Sequence, residues 1–539
     1  MAVKLDLVIK NGIVFDGTSG EPFQADIGIA GDKIAVIKKR SAISNQLSAI
    51  RAAKTIDAKR MAVSPGFIDT HAHSDFTLLA DPRAEGKILQ GVTTEINGNC
   101  GLSAAPLYGE ASERREDDLR ELGIKERWRT LREYFSILKK TGIVMNFVTL
   151  AGHGNIRASV IGYKDKLPSK NELKKMQGLL RDTIEEGAIG LSTGLIYPPG
   201  IYSDTDELVE LCSGIRTPHS AFIYTSHMRS EGNKLIEAIK EIISIGKEAK
   251  IKVHVSHIKT AGRENWHKIS EAISLIESAR KKGVRITCDR YPYTAASTDL
   301  DTMLPQWTYE GGAEEELKRL KNQEVRERIK SEMPQKFRDN NLWKEVRVSE
   351  VNREESKWME GKTMSYISKK LGKEPMDALF KVLIEEKLRV GAIFFSMNED
   401  NLKRFLSLPY AMVGSDASVR SFSGPTRTGK PHPRAFGSFP RFLGRYVRDE
   451  KLMSMSEAVH KITMLPSKTF GIKGRGVIKN GAFADIVIFD PKKIIDKATF
   501  DRPFLKPAGI YYVIVNGAPA VWEGKFTGQM AGKILQLFI

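Results

Sequence analysis

Two histidines one residue apart, His71 and His73 in Pro65-Gly-Phe-Ile-Asp-Thr-His-Ala-His, close a short apolar run. On a β-strand, residues i and i+2 face the same side, so both imidazoles can share one metal ion. Such a pair recurs by chance, but further candidates close further apolar runs: His227 after Ile223-Tyr-Thr-Ser, His257 after His254-Val-Ser, and Asp416 after Val413-Gly-Ser. Imidazole nitrogen and carboxylate oxygen are the ligands of Zn²⁺, and a catalytic zinc keeps a position for water, whose pKa it brings to ~7. That chemistry is attack of hydroxide on a polarised carbonyl, with Asp416 taking the water's proton and returning it to the leaving group. The plainer reading of Asp416 is a helix N-cap. Cys100, in the Gly-rich stretch Gly91-Val-Thr-Thr-Glu-Ile-Asn-Gly-Asn-Cys-Gly, would bind zinc well as a thiolate; without the histidines it would read as a buried free cysteine.

The elements that must position these groups follow from the same runs. Gly66-Phe-Ile-Asp, Val92-Thr-Thr-Glu-Ile, Asn146-Phe-Val-Thr-Leu, Ala188-Ile-Gly-Leu, Ala221-Phe-Ile-Tyr-Thr, Ile251-Lys-Val-His-Val, Val284-Arg-Ile-Thr-Cys and Ala411-Met-Val-Gly alternate with helical stretches. Eight strands in βα alternation is the count of a closed (β/α)₈ TIM-like barrel, whose active sites lie at the C-terminal strand ends, where the candidate residues fall. A doubly wound open sheet shares the periodicity. Residues of about 299–391 fit the alternation poorly and read as a mainly helical insertion after the seventh strand, either a lid or a stabilising excursion.

Period-two alternation marks both ends of the chain, at Asp6-Leu-Val-Ile-Lys-Asn-Gly-Ile-Val-Phe, Ala25-Asp-Ile-Gly-Ile-Ala, Ala484-Asp-Ile-Val-Ile-Phe and Ile510-Tyr-Tyr-Val-Ile-Val, with Asn11-Gly12 and Gly31-Asp32 as hairpin signals. The expected α/β architecture is therefore a barrel over 64–475, with a small β-sandwich built from residues 1–63 and 476–539.

The composition, 41% apolar and 28% charged without low-complexity tracts, is that of an ordinary globular chain. The sequence has no apolar run long enough to span a bilayer and no signal-peptide core at its start, so a cytoplasmic location and no membrane partner are expected. Cys100, Cys212 and Cys288 are too few and too far apart for a disulfide framework. The net charge of +18 is spread along helices and interspersed with Glu, for instance over Lys234–Lys252; it reads as a Lys-rich surface, with no nucleic-acid partner expected.

Taken together, the motifs resemble the N-acyl-D-amino-acid deacylases (D-aminoacylases) of the amidohydrolase superfamily, nearly end to end. The carrying segments include Pro65-Gly-Phe-Ile-Asp-Thr-His-Ala-His-Ser-Asp, Gly98-Asn-Cys-Gly, Gly152-His-Gly-Asn-Ile-Arg, Leu191-Ser-Thr-Gly-Leu-Ile-Tyr-Pro-Pro, Ser226-His-Met-Arg-Ser-Glu, Ser256-His-Ile-Lys, Tyr291-Pro-Tyr-Thr-Ala-Ala-Ser, Gly414-Ser-Asp and His432-Pro-Arg-Ala-Phe-Gly. The Cys100 segment is the most diagnostic.

The resemblance implies hydrolysis of the amide of an N-acyl-D-amino acid, a small-molecule partner. It implies one zinc held tightly by Cys100, His227 and His257, a weaker or second position near His71 and His73, and Asp416 as general acid/base. Lys259, Ser297 and Arg434 would meet the substrate carboxylate, and Tyr197 the acyl carbonyl; Lys259 and Arg434 also read as ordinary surface cations. His153 fits the mouth or the core equally. The segment Ala417-Ser-Val-Arg-Ser-Phe-Ser-Gly-Pro-Thr-Arg departs from the family's shorter stretch, which leaves the preferred side chain open. The rival readings are a cyclic-amide hydrolase of the dihydroorotase or hydantoinase type and a non-catalytic barrel that binds polyanions. A homo-oligomer is compatible with all of them.

Overall fold

The computed structural model describes residues 4–39, 52–215, 222–333 and 340–536; Ala221, the expected start of the fifth barrel strand, lies outside them. Parallel strands Phe67–Asp69, Val92–Asn97 and Asn146–Thr149 pair in that order. The third continues through Ala151–Gly152 into the succession Gly190–Gly194, Ile223–His227, Lys252–Val255, Ile286–Asp289 and Ala411–Met412, again all parallel.

The ring closes between its last and first strands. A parallel bridge joins Ala72 to Ala417, and the Asp416 N–H donates to the His71 carbonyl at 2.8 Å. Beneath this seam the buried Lys87 ammonium donates to Asp69 Oδ2 at 2.8 Å and to Ser415 Oγ at 2.9 Å, tying the same two strand ends together. The strands read as near-continuous apolar runs because both faces are covered. Ile68, Ile96, Val148, Ile189, Ile223 and Met412 form one buried cluster with Phe470 and Ile472, so the ring holds a packed core.

The outer helices form for local reasons. Leu235–Glu248 buries Leu235, Ile236, Ile239, Ile242 and Ile245, a stripe at helical spacing. Lys170–Glu185 begins at a capping box, Ser169 with Glu172, and Leu131–Thr141 at another, Thr130 with Glu133. Among the described residues no helix is long and apolar enough to cross a membrane.

Both ends of the chain contribute to one nine-stranded sheet, in which Ala62–Pro65 runs antiparallel to Ile486–Phe489. Ile9, Ile27 and Val63 share a buried cluster with Ile486, Ile488 and Ile514. Gly31 and Asp32 form the turn between Phe23–Ala30 and Lys33–Lys39. Asn11-Gly12 is not a hairpin turn: it is an irregularity inside Leu5–Val14, with Asn11 at φ 63°. This irregularity lets the strand pair first with Ala52–Asp57 and then with Ala62–Pro65, and Asn11 Nδ2 donates to Asp57 Oδ1 at 2.6 Å.

Leu300, Leu320, Trp343, Val348, Phe380 and Ala392 belong to a separate buried cluster, the core of the segment after the seventh barrel strand. Besides its helices this region carries an antiparallel sheet, Ala296–Asp299, Gly391–Phe394 and Val346–Glu350. Its first strand bears Ser297.

Candidate metal centre and active site

The C-terminal strand ends bring His71, His73, Cys100, His227, His257 and Asp416 into one cluster, and all of these but the fully buried His71 line one cavity. Cys100 Sγ lies 3.3 Å from His71 Nε2 and 3.5 Å from His257 Nε2. Asp416 Oδ1 is 3.0 Å from His73 Nε2 and 3.6 Å from His71 Nε2. Three overlapping trios have their ligand atoms within 4.8 Å of one another: His71, Cys100 and His257; His71, His73 and Asp416; His227, Glu231 and His257. Cys100 is thus grouped with His71 and His257, and His227 with Glu231 and His257.

These residues can hold a metal ion. Both ring nitrogens of His227 are buried without a hydrogen-bond partner, and burial lowers that ring's pKa, which favours the neutral imidazole that coordinates metals. Burial opposes charge on Cys100, but the imidazoles of His71 and His257 hold its thiol well below the ordinary value. On the far side of His257, Nδ1 is 2.8 Å from Glu231 Oε1 and 2.8 Å from Lys259 Nζ. An Nδ1–H given to Glu231 leaves the Nε2 lone pair facing the thiol.

The backbone presents three of these side chains by adopting the left-handed region, at φ 52° for Cys100, 35° for His257 and 52° for Asp416. For non-glycine residues this costs on the order of 1–3 kcal/mol each and persists where the surroundings over-determine it. At His257 the surroundings are visible: its backbone N–H donates to Asp289 Oδ1 at 2.6 Å. No helix starts at Asp416 among the described residues; the next is Arg434–Arg441, which rules out the N-cap reading.

Neither Lys259 nor Arg434 is a surface cation, at 3% and 6% exposure. Lys259 is bound to Glu231, and Arg434 sends Nη1 to Asp416 Oδ2 at 2.8 Å and Nη2 to the Ser297 carbonyl at 3.1 Å. Both cations lie over the buried Tyr291 ring, Arg434 at 4.8 Å and Lys259 at 5.8 Å from its centroid. Ser297 Oγ donates to the Ala392 carbonyl at 2.9 Å. Tyr197 packs edge-on against His227, centroids 5.1 Å apart, with its hydroxyl 2.8 Å from Thr298 Oγ1. His153 is buried, 2.8 Å from Glu207 Oε1, in a network with Arg157.

Two acids absent from the sequence reading organise this site. Glu231 contacts Lys259 and His257 and lies 3.7 Å from His227. Asp289 Oδ2 meets His254 Nε2 at 2.9 Å and His71 Nδ1 at 3.5 Å. The signals existed: Glu231 ends the Ser226-His-Met-Arg-Ser-Glu segment, and Asp289 ends the seventh barrel strand, one residue past Cys288.

A profile of the amidohydrolase family matches residues 54–521. A D-aminoacylase of Alcaligenes xylosoxydans xylosoxydans is 34% identical over 98% of this chain and 97% of its own length. The crystal structure of an N-acyl-D-glutamate deacylase from Bordetella bronchiseptica, complexed with zinc and a phosphonate mimic of the tetrahedral intermediate, superposes with a TM-score of 0.82 at 32% identity, covering 99% of this chain and 100% of that one. A D-aminoacylase structure described by its binuclear metal centre, with one-metal activation and second-metal attenuation, gives a TM-score of 0.81 at 33% identity with the same coverage.

Proposed function

The chain belongs to the amidohydrolase family, and on that footing we propose that it hydrolyses the amide bond of N-acyl-D-amino acids, giving a carboxylate and a free D-amino acid. The observation that carries this reading is the convergence of Cys100, four histidines and Asp416 in a chain similar from end to end to deacylases of that specificity.

Cys100, His227 and His257 would hold one zinc tightly, with a weaker or second position near His71 and His73; the trios that share His71 and His257 bring all five of these ligands into one cluster. Zinc bound there supplies Lewis acidity toward the acyl carbonyl and brings the pKa of water to ~7. Asp416 Oδ1, at the inner end of its carboxylate, takes the proton of the attacking water and delivers it to the amide nitrogen as the C–N bond breaks. Tyr197 donates its hydroxyl hydrogen to the oxygen that gains charge, exchanging the Thr298 partner for it.

Arg434 offers the substrate carboxylate a planar fork, with Ser297 beside it. Lys259 adds positive potential from behind His257, where Glu231 holds it. Three unpaired cysteines support placing the enzyme in the reducing cytoplasm.

The test is chromatographic detection of free amino acid from matched N-acetyl-D and N-acetyl-L amino acids, with zinc assayed on the same sample. Release confined to the D series by zinc-loaded protein is expected. Zinc-loaded protein that releases nothing from either series would overturn the substrate assignment and turn attention to cyclic amides.

A further inference from the structure

Arg290 follows the seventh barrel strand, Ile286–Asp289, and its backbone N–H donates to the Met412 carbonyl of the eighth at 3.0 Å. Its side chain is buried, at 1% exposure, among Tyr291, Tyr293 and Met397. Nη2 donates to the Tyr293 carbonyl at 2.8 Å and to Met397 Sδ at 2.9 Å, both uncharged acceptors. Nε and Nη1 are buried without a hydrogen-bond partner, and among the described residues no carboxylate pairs with this group. A guanidinium stays ionised in proteins, and burying a charge without a counter-ion costs more than neutral acceptors and a cation–π contact return. Where a chain keeps such a group, function is the place to look for the reason.

The charge stands behind the wall of the cavity that the metal ligands line. Arg290 lies 4.2 Å from the centroid of the Tyr291 ring, and Tyr291 lines that cavity together with Lys259 and Arg434, the other two cations over the same ring. Those two are already matched, Lys259 by Glu231 and Arg434 by Asp416 at 2.8 Å. Arg290 has no such partner. Three cations and two paired carboxylates leave one positive charge over, the complement of a single carboxylate.

The reach of that charge is visible at His432, a further residue of the cavity wall, whose ring centroid is 6.1 Å from that of Tyr291. Burial first, then Arg434, with Arg290 adding to them against the Ala295 carbonyl and Asp416, holds His432 well below the usual imidazole range. The neutral ring accepts the Arg434 backbone N–H on Nδ1 at 3.0 Å and donates from Nε2 to the Ala295 carbonyl at 3.0 Å.

We propose, resting on the deacylase reading above, that Arg290 is a positioning residue that supplies the counter-charge for the substrate carboxylate without touching it. From behind Tyr291 it makes the carboxylate-binding end of the cavity electropositive by one unit, which the bound anion neutralises; at low effective dielectric a charge acts across a side chain. Without it, Arg434 would have to serve both Asp416 and the substrate. The consequence for specificity is selection of a free α-carboxylate over a carboxamide of the same shape. The consequence for stability is a cost carried by the free enzyme and relieved by substrate.

The experiment compares, on the zinc-loaded full chain, the N-acetyl-D-amino acid that is hydrolysed fastest with its own α-carboxamide. Arg290→Gln keeps a donor for the Tyr293 carbonyl and removes the charge, whereas Arg290→Lys keeps the charge. In Arg290→Gln the KM of the acid is expected to rise about tenfold or more with kcat within about threefold, so that the acid-over-amide ratio in kcat/KM falls by the same factor. Arg290→Lys is expected to retain most of the ratio. The Tm of Arg290→Gln is expected to match or exceed that of the natural protein, where a merely structural residue would lower Tm and leave the ratio alone. An unchanged ratio in Arg290→Gln, a Lys variant as defective as the Gln variant, or a Tm several degrees below that of the natural protein would overturn the proposal. If the natural protein turns over no N-acetyl-D-amino acid, the deacylase reading fails, and calorimetry with N-acetyl-D-alanine decides the charge. Binding about tenfold weaker in Arg290→Gln then bears it out, and equal affinity or no binding overturns it.

Discussion

Arg434 Nη1 stands 2.8 Å from Asp416 Oδ2, while the other oxygen of that carboxylate is 3.0 Å from His73 Nε2. The group assigned to proton transfer is thus fixed from two sides, and the cation assigned to the substrate carboxylate is the one that fixes it. Burial would raise the Asp416 pKa, but Arg434 and His257 hold it well below the usual carboxylate range, so it waits ionised. A substrate carboxylate that engages Arg434 draws charge away from Asp416 and makes it a better base as the complex forms. Arg434→Ala is expected to raise KM by about 10- to 100-fold, as a lost charged hydrogen bond of ~1.5–3 kcal/mol implies. Steady-state kinetics on N-acetyl-D-amino acids checks this, and an unchanged KM would count against the assignment.

Asp416→Asn keeps the shape of the side chain and removes its basicity. Turnover is expected to fall by about 10²- to 10⁴-fold, the usual contribution of a positioned acid/base. The zinc assigned above to Cys100, His227 and His257 is expected to stay, measured by atomic absorption after gel filtration.

Glu231→Gln removes the carboxylate that binds Lys259 and orients His257. Zinc affinity is expected to drop by about 10- to 100-fold, since partners behind a ligand histidine carry that much. Competition against a chromophoric chelator reads it directly.

Lys461 is buried, and its Nζ donates to the Leu408 and Ala411 carbonyls. Burial depresses its pKa from 10.5 to about 8, with Cys288 and Glu457 pulling the other way. Between those values the folded chain has given up a proton that the unfolded chain keeps, so stability rises with pH across the window. The full change is on the order of 3 kcal/mol at 1.36 kcal/mol per unit. The Tm of the natural protein, relative to Lys461→Met, is expected to climb from pH 7.5 to pH 10; a constant difference would refute the buried-charge explanation.

Much of this was legible in the residues. Eight buried parallel strands leave eight apolar runs, and residues of the wrong polarity at their ends stand out; His71, His227, His257 and Asp416 were visible for that reason. His73 followed from the two-residue strand period. What escaped was set by tertiary distance. Glu231 is a loop residue whose partners, His257 and Lys259, belong to the next strand end, and Asp289 serves His71 and His254 from a third. The Arg434–Asp416 pair spans a loop with no periodicity to announce it. Asn11-Gly12 carried a turn signature that the structure uses for an irregularity in a strand, because Asn tolerates positive φ in either setting.

The shared terminal sheet also sets a timetable. Val63 pairs with Ile488, and at ~5–20 residues per second these two leave the ribosome roughly 20 to 85 s apart. Throughout that interval the Ala62–Pro65 edge is an open template beside a half-made barrel, at a stage when strand edges recruit wrong neighbours. The yield of this protein therefore depends on what shields that edge during synthesis.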